Sequence, residues 1–316
     1  MEETIVKVEN LSHSYNGSQW AVKDVNFEIR QRGILGLLGS NGAGKSTTMN
    51  IMCGVLNQTA GDVYIKDINL REHPVEAKKH IGFLPQKAPL YTDFTVDEYL
   101  AYCSHLRQME PKKIKQAIEI AKAKCGISHF SKRLIRNLSG GYQQRVGIAQ
   151  AIIHNPTFVV LDEPTNGLDP NQIIEVRNLI REIAEERSVI LSTHILPEVQ
   201  ATCKHIKMIE EGKLVFSGTM DEFNNYVKPD TLVVNFAIAP KQEELSGIEG
   251  IINTELLDEK KFRLRFNTSE EITERIIETS VSKGWHLREI TLERASLDSI
   301  FAQLSGKTTS KTKATV

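Results

Sequence analysis

The 316-residue sequence is long enough for one large domain and a smaller one, and its 40% hydrophobic and 25% charged residues are typical of a water-exposed globular protein. The formal net charge of -1 gives no reason to expect nucleic acid as a partner. The N-terminus has no apolar signal core, no stretch approaches the roughly 18 apolar residues that span a bilayer, and the four cysteines form no CxxC pair, which together predict a cytosolic protein with reduced thiols.

The chain opens with segments that alternate between apolar and polar side chains. Residues 5–11 and 21–29 follow this pattern, which predicts two strands, and turn residues 16–18 separate them. We interpret the pair as an antiparallel layer at the edge of a domain. Residues 61–65 predict another short strand, and residues 81–86 predict one that must stop near Pro85, because proline has no N–H for a sheet hydrogen bond.

The apolar residues 34–38 lead into a glycine-rich turn and then a helix, the context in which GxxxxGK[ST] marks a phosphate-binding loop. Glycines let several backbone N–H groups converge on one phosphate, and the helix adds its positive end. Lys45 can reach the β and γ phosphates, and the Ser46 hydroxyl suits Mg²⁺. The predicted loop comprises Gly39, Ser40, Asn41, Gly42, Ala43, Gly44, Lys45, Ser46 and Thr47. The preceding strand, the glycines, Lys45 and Ser46 all agree with this motif, which argues against an ordinary glycine turn.

A helical region separates this loop from the next strands. From about residue 95 to 153 apolar residues recur at helical spacing, as at Val96, Leu100 and Cys103. Residues 158–161 and 189–192 are then continuous apolar runs, typical of strands covered on both faces, with a helix at 173–183 between them. The order predicts an α/β fold: a P-loop NTPase core with an antiparallel β edge layer and a helical insert.

Polar side chains stand where the predicted strands end. Asp162 and Glu163 follow strand 158–161, and the carboxyl ends of parallel strands lie beside the phosphate loop. Asp162 can hold Mg²⁺ through water, and Glu163 can orient and deprotonate an attacking water. Gln86 can touch both the metal and that water, and His194 can donate a hydrogen bond to the γ phosphate. Alone, Gln86 and His194 would be satisfied polar residues at strand exits, but their common edge favours a catalytic site.

A second helix start has the features of an anion site. Ser139 stands at a cap position, and Gly140 and Gly141 leave the N–H groups of the following helix open. Alone, this segment fits a ligand-free glycine-rich cap equally well. Two phosphate-binding helix starts in one chain suggest a nucleotide shared between two molecules.

The pattern changes after about residue 230. Strands are predicted at 232–238, 251–257, 262–266 and 285–290, and helices at 240–249 and 272–281. This βαββαβ order predicts a small α+β, ferredoxin-like C-terminal domain, followed by a helix at 297–304. We expect an ATPase domain at 1–228, an accessory domain at 229–305 and a disordered tail at 306–316.

The motifs in this order resemble the full set of the ATP-binding subunits of ABC transporters, over roughly residues 4 to 225. The segments that carry the resemblance are residues 39–47, Gln86, residues 138–144, residues 158–163, residues 166–169 and His194. In that family two subunits pair head to tail, and each ATP lies between the phosphate loop of one and the signature segment of the other. The resemblance implies ATP and Mg²⁺ as cofactors.

The resemblance also implies roles for single residues. Ser139 and Gly141 would contact the γ phosphate of the partner's ATP, and Asp169 would lie in the loop between the two sites. Tyr15 matches the aromatic residue that stacks on adenine, with Trp20 as the competing candidate. Tyr142 is a departure, because the usual signature has glutamine directly after its second glycine, which puts any role of Gln143 in doubt.

The C-terminal region resembles exporter-type members, which serve drug, polysaccharide, sodium or gliding-motility systems. The implied function is ATP hydrolysis by a homodimer, with a heterodimer left open, at the cytoplasmic face of the cell membrane. Its partner there would be an integral membrane permease, which Gln86 and the insert would sense. One alternative is a soluble ABC ATPase that acts mechanically on ribosomes or DNA. Another is a P-loop kinase or GTPase, although the chain has no NKxD motif for guanine.

Overall fold

The structure is a computed structural model that describes residues 4–226, 230–267 and 271–293. The chain divides into two compact units, with the division after Met220. The predicted domain boundary at 228/229, the predicted helix at 297–304 and the predicted tail at 306–316 lie outside the described residues.

The first unit is built from two sheets and the helices around them. Its strands are β1 (Val6–Ser14), β2 (Trp20–Ile29), β3 (Gly33–Leu38), β4 (Ala60–Ile65), β5 (Ile68–Asn69), β6 (Ile81–Leu84), β7 (Phe158–Asp162), β8 (Ser188–Thr193), β9 (His205–Glu210) and β10 (Lys213–Thr219). Its helices are α1 (Lys45–Met52), α2 (Pro74–Lys78), α3 (Val96–Leu106), α4 (Pro111–Lys124), α5 (Gly140–Ile152), α6 (Pro170–Glu186) and α7 (Leu196–Thr202), and α8 (Met220–Asn224) crosses the division between the units.

The six-stranded sheet has the order β10-β9-β3-β8-β7-β6, in which neighbours from β9 to β6 run parallel and β10 is antiparallel. Every residue of β7 and of β8 is buried, as their unbroken apolar runs predicted. The four-stranded sheet, β2-β1-β4-β5, is the predicted antiparallel layer. One core cluster joins the two sheets and α1, with members such as Val8, Leu37 and Met49.

Helix α6 illustrates how the sequence sets a boundary and a buried face. Asp169 caps its start by accepting hydrogen bonds from the N–H groups of Asn171 and Gln172, at 3.0 Å each, and Pro170 occupies the first turn. The buried residues recur at helical spacing and form one apolar stripe: Val176, Leu179, Ile180, Ile183 and Ala184. Helix α6 therefore begins three residues earlier than predicted. Its capped start places the preceding loop at the edge of the sheet.

The second unit contains β11 (Thr231–Phe236), α9 (Gln242–Ser246), β12 (Ile251–Asp258), β13 (Lys261–Phe266), α10 (Ile272–Ser282) and β14 (Leu287–Glu293). Its antiparallel sheet has the order β12-β13-β11-β14, the split βαβ arrangement that the sequence predicted. The predicted start of the last strand is wrong. His286 has a left-handed φ of 54°, so the strand begins after it, and Trp285 packs in the core instead.

Candidate functional site

The phosphate loop lies between the end of β3 and the start of α1, as predicted. Gly44 has a φ of 107°, and a Cβ there would lie 2.6 Å from the carbonyl oxygen of Ala21. A Cβ on Gly39 would lie 2.1 Å from the carbonyl oxygen of Ile209. Both positions therefore require glycine, because the loop runs against backbone on two sides.

Polar contacts hold this loop in place. The Lys45 ammonium donates to the carbonyl oxygens of Gly39 and Ser40, at 2.9 Å each. Ser40 donates from its hydroxyl to the Glu210 carboxylate at 2.8 Å and from its N–H at 3.2 Å. Burial lowers the pKa of Lys45, while the carboxylates of Glu163, Asp162 and Glu210 oppose that shift. Lys45 is thus a largely buried cation beside three carboxylates.

The end of β7 carries the two predicted carboxylates. Asp162 is buried and accepts a short hydrogen bond from the Ser192 hydroxyl on the neighbouring strand β8. Glu163 has a left-handed φ of 46°, and its N–H donates to the Ser192 carbonyl oxygen at 3.1 Å. Such a backbone conformation is uncommon outside glycine and is concentrated at functional sites. Because of this backbone turn, Asp162 is buried against Ser192, whereas Glu163 lines the cavity described below.

Three side chains converge on the Glu163 carboxylate. Gln86 donates from its amide to Oε2 at 2.7 Å, and Asn166 donates to the same oxygen at 3.2 Å. His194 Nδ1 lies 2.9 Å from Oε1, and since an ionised carboxylate only accepts, this nitrogen is the donor. The structure therefore brings together the residues that the sequence placed at three separate strand ends.

These residues line one cavity of about 620 Å³ with the phosphate loop. The lining residues are Tyr15, Ala21, Asn41, Gly42, Gly44, Lys45, Ser46, Thr47, Gln86, Glu163, Asn166 and His194. Tyr15 is 66% exposed, and its hydroxyl lies 3.1 Å from Thr47 Oγ1. Trp20 is not among the described residues that line the cavity, so the geometry favours Tyr15 as its aromatic wall.

Ser139, Gly141 and Asp169 are likewise not among the described residues that line this cavity. Ser139 is exposed at the cap position of α5, but its side chain makes no capping hydrogen bond, contrary to the predicted cap. A Cβ on Gly141 would lie 2.7 Å from the Gln172 side chain, so α5 and α6 approach closely there. Ser139 and Gly140 are exposed and lie outside the described lining of the cavity.

The unusual Tyr142 packs within its own chain. Its ring lies 4.6 Å from that of Phe130, edge to face, and the Arg145 guanidinium lies 5.7 Å from the Tyr142 ring centroid. The Gln143 amide donates to the carbonyl oxygens of Ile135, at 3.1 Å, and Leu138, at 3.3 Å. Gln143 therefore supports the segment before the signature from within the same chain.

Sequence reasoning assigned no role to three polar residues near the site, Asn166, Glu198 and Glu210, although Asn166 lies in a segment that carries the family resemblance. Glu198 is buried and accepts from the hydroxyls of Thr165, at 2.8 Å, and Thr193, at 3.0 Å. Glu210 ends β9, which was also missed. A signal for β9 and β10 was present, since short segments rich in apolar residues flank Glu211 and Gly212, a pair that takes the left-handed φ values of a tight hairpin turn.

Comparison with known proteins identifies the family. The sequence profile of the ABC transporter family matches residues 22–166. The bacitracin transport ATP-binding protein BcrA of Bacillus licheniformis is 31% identical over 309 residues, which cover 96% of this chain and 98% of that protein. The chain belongs to the family of ABC transporter ATP-binding proteins. This confirms the resemblance to exporter-type ABC ATPases, and it sets aside the kinase and GTPase alternatives.

Further relatives and solved structures agree. An ABC transporter ATP-binding protein of Methanocaldococcus jannaschii is 32% identical over 84% of this chain and 97% of that protein. The structure of cbiO1 from Clostridium perfringens, part of an ABC transporter complex, has a TM-score of 0.64 and 28% identity over 70% of this chain and 90% of that one. A bacterial ABC transporter cassette solved as a dimer has a TM-score of 0.61 and 25% identity, over 68% of this chain and 98% of that one.

This ABC protein is an ATPase with the P-loop NTPase fold of the family's cassettes. Within the described residues, no helix is both long enough and apolar enough to cross a bilayer.

Proposed function

We propose that two copies of this ABC ATPase close around two shared ATP molecules and drive a separate membrane permease, in export. The observation that carries the proposal is the division of the site between two surfaces. The catalytic cavity gathers Lys45, Gln86, Glu163 and His194, whereas Ser139 and the start of α5 lie exposed outside it. A second molecule would supply the missing signature.

ATP would bind to the residues that line the cavity in their present positions. The exposed Tyr15 ring would stack on adenine, and the N–H groups of residues 42–47 would surround the phosphates at the positive end of α1. Lys45 would exchange its two carbonyl contacts in the loop for phosphate oxygens. A phosphate would also compensate the ammonium charge that burial disfavours.

The residues fit Mg²⁺, because hydroxyl, amide and carboxylate oxygens are the donors that this hard cation prefers. Ser46 and Gln86 line the cavity, and the amide nitrogen of Gln86 is engaged by Glu163, which leaves its oxygen for a metal. Asp162 would hold the ion through a water molecule. Bound Mg²⁺ would neutralise charge on the β and γ phosphates. Within the described residues, no group of three or more His, Cys, Asp or Glu side chains offers a different metal site.

Hydrolysis would use Glu163 as the base that orients and deprotonates water. Its carboxylate has about four lone-pair sites, and Gln86, Asn166 and His194 occupy three of them in this structure. The remaining acceptor position is available to a water in line with the γ phosphate. His194 would hold the carboxylate through Nδ1–H, and with a proton on both ring nitrogens it would also donate to the phosphate from its other nitrogen.

The dimer would complete each site with the signature of the partner. The N–H groups at the start of α5 and the Ser139 hydroxyl would bind the γ phosphate of the partner's ATP, and Gly141 would allow close approach. Asp169, as the cap of α6, would fix the end of the loop 165–168 between the two sites. Because both halves are present in one chain, a homodimer would hold two equivalent sites.

The proposals for the membrane partner and for the direction of transport are based on the named functions of relatives. One relative is named a bacitracin transport ATP-binding protein and another, from Haemophilus influenzae, a lipopolysaccharide export system ATP-binding protein. By analogy, this ATPase would sit at the cytoplasmic face of the cell membrane, and the insert that follows Gln86 would respond to a permease. Pull-down of a polytopic membrane protein would support this role, and pull-down of ribosomes or DNA would favour the mechanical alternative.

The shared site is tested through dimer formation in a hydrolysis-deficient Glu163→Gln background. With ATP, that variant should form a dimer of twice the 35.5 kDa chain mass in sedimentation experiments. Adding Ser139→Arg should abolish the dimer but leave ATP binding unchanged, because the phosphate loop of the same chain is intact. The measurement is the sedimentation coefficient with and without ATP, together with the Kd for ATP.

The matched control is Ser128→Arg, at an exposed serine of the same helical insert, and it should dimerise normally. A Ser139→Arg chain that dimerises like its parent would contradict the shared site. A chain that loses ATP binding together with the dimer would place Ser139 in its own site rather than the partner's.

A further inference from the structure

A second cavity, of about 470 Å³, lies in the first unit at the opposite end of the sheet from the phosphate loop. Its walls come from the end of β2 and the residues after it, the start of β3, the start of β9 and the end of β10. None of the described residues that line this cavity also lines the nucleotide cavity. The cavity is therefore distinct from the nucleotide site.

Lys207 is the central feature of this cavity. It is only 8% exposed, its ammonium donates to the Ser217 hydroxyl at 2.8 Å, and it lies 5.1 Å from the centroid of the Phe27 ring. In the described part of the chain, no carboxylate pairs with it. Burial lowers the pKa of Lys207. Among the described residues, the contacts that stabilise this ammonium are a ring face and one hydroxyl.

The rest of the lining adds to the positive charge. Arg30 is neutralised by Glu28, with contacts of 2.8 Å and 2.6 Å. Arg32 and Lys204 are exposed at the cavity and pair with no carboxylate among the residues that the structure describes. With Glu28 engaged by Arg30, the cavity has three uncompensated cations and no free carboxylate in its lining.

We propose that this cavity binds a small phosphate-bearing anion, with the buried Lys207 and the exposed Ser217 as its central donors and Arg32 and Lys204 at its mouth. The anion supplies the counter-charge that Lys207 lacks, and the Ser217 hydroxyl can donate to a phosphate oxygen. The volume lies within the range of small-molecule sites. The proposal is independent of the shared ATP site, because it uses none of the residues of that site.

The test uses inorganic pyrophosphate as the probe and the full chain carrying Lys45→Ala, which weakens phosphate binding at the nucleotide site. At constant ionic strength and without Mg²⁺, pyrophosphate at 100 times its Kd should raise the unfolding midpoint of this protein by about 5 °C. Adding Lys207→Met should weaken binding at least about tenfold in calorimetry, which lowers the shift at the same pyrophosphate concentration to about half or less. Methionine keeps the apolar contact with Phe27, so the variant should fold.

Two further variants keep the test decisive. Arg32→Ala, at an exposed position, should weaken pyrophosphate binding even if Lys207→Met fails to fold, whereas Lys112→Met, an exposed lysine of α4, should not. The proposal is overturned if pyrophosphate stabilises no variant, or if it stabilises the Lys207→Met and Arg32→Ala proteins as much as their parent. Co-sedimentation with phosphatidic acid vesicles that depends on Lys207 would identify a lipid headgroup as the source of the phosphate. Pyrophosphate binding without co-sedimentation would identify a soluble anion.

Discussion

Glu163 accepts hydrogen bonds from Gln86, Asn166 and His194, and each donor comes from a different loop. The left-handed backbone at Glu163 turns its side chain into the cavity, while the neighbouring Asp162 stays buried against Ser192. Adjacent carboxylates are thereby separated into two environments. This separation permits one of them to serve the metal and the other to serve the attacking water.

Replacing Glu163 by glutamine should preserve ATP binding and lower the hydrolysis rate at least about 100-fold, because a positioned general base contributes typically 10²–10⁴-fold. The amide keeps the size of the side chain but cannot accept the proton. Phosphate release and the Kd for ATP are the measurements. Glu185→Gln, at an exposed carboxylate of α6, is the control and should hydrolyse normally. Hydrolysis by Glu163→Gln at the unmodified rate would exclude Glu163 as the base.

The aromatic wall gives a second residue-scale prediction. Tyr15→Ala should weaken ATP binding by roughly 5- to 150-fold, since stacking of a base on an aromatic ring contributes about 1–3 kcal/mol. Trp20→Ala should leave the Kd within about twofold, because Trp20 is outside the lining of the cavity. Titration with ATP and with a base-free triphosphate separates the two cases: the Tyr15 effect should vanish with the base-free ligand. A larger loss for Trp20→Ala would reverse the assignment.

Glu163, Gln86 and His194 could be predicted as site residues from the sequence, because the end of an apolar run marks the end of a strand. Parallel strands end at the same edge of a sheet, so these residues were expected to lie together. Sequence reasoning did not reach Asn166, whose role depends on a 3.2 Å contact across a loop. It also left Tyr15 and Trp20 undecided. Both are exposed aromatic residues near the same turn, and only the folded chain shows which of them faces the cavity.

At the scale of elements, Glu198 of α7 connects three parts of the site. It accepts from Thr165, in the loop after β7, and from Thr193, at the end of β8 beside His194. The guanidinium of Arg177 on α6 lies 3.5 Å from the same carboxylate. Glu198 thus fixes the loop that leads to Asp169 against the strand that presents His194, without lining the cavity itself.

We expect Glu198→Gln to lower kcat roughly tenfold, the effect of losing one charge-assisted hydrogen bond of about 1.5 kcal/mol. The Kd for ATP should stay within about twofold, because the phosphate loop and Tyr15 are untouched. Glutamine at position 198 has only one acceptor oxygen, so one of the two hydroxyls loses its acceptor, and Arg177 loses its carboxylate partner. The measurements are kcat and the Kd for ATP well below the unfolding temperature. A double-mutant cycle with Thr165→Val should show non-additive effects on kcat.

The control for stability is Ile180→Val, in the buried stripe of α6, which should lower the free energy of unfolding by about 0.5–1.5 kcal/mol and leave kcat unchanged. Equal losses of kcat in both variants would assign Glu198 a purely structural role. Such a result would leave the positions of His194 and Asp169 to be explained by other contacts.

Strands β9 and β10 are secondary-structure elements that were not predicted from the sequence. Their short runs of apolar residues and the turn at Glu211 and Gly212 are a usable hairpin signal. The role of β9, however, lies in its two ends: Glu210 holds Ser40 of the phosphate loop, and Lys207 lies in the second cavity. Both roles are tertiary contacts over large sequence separations, and no local pattern encodes them.

The whole molecule consists of two units with separate cores. The first core includes Val8, Leu37 and Met49, and the second includes Val234, Leu264 and Trp285. In the first unit β9 and β10 were missed, but the order of elements from β11 to β14 in the second unit was predictable because helical and strand periodicities differ and short apolar runs mark the strands. The start of β14 was not, because a left-handed His286 has no sequence signature of its own.

Because each unit has its own core, a chain that ends at Tyr226 should fold and bind ATP with a Kd within about twofold of the full chain. All residues that line the nucleotide cavity precede this point. Circular dichroism should show cooperative unfolding, and titration should give the Kd. If the shortened chain binds ATP but no longer dimerises in the Glu163→Gln background, the second unit supports the dimer. If it fails to fold, or folds without binding ATP, the second unit is required by the ATPase core and the division into two domains is wrong.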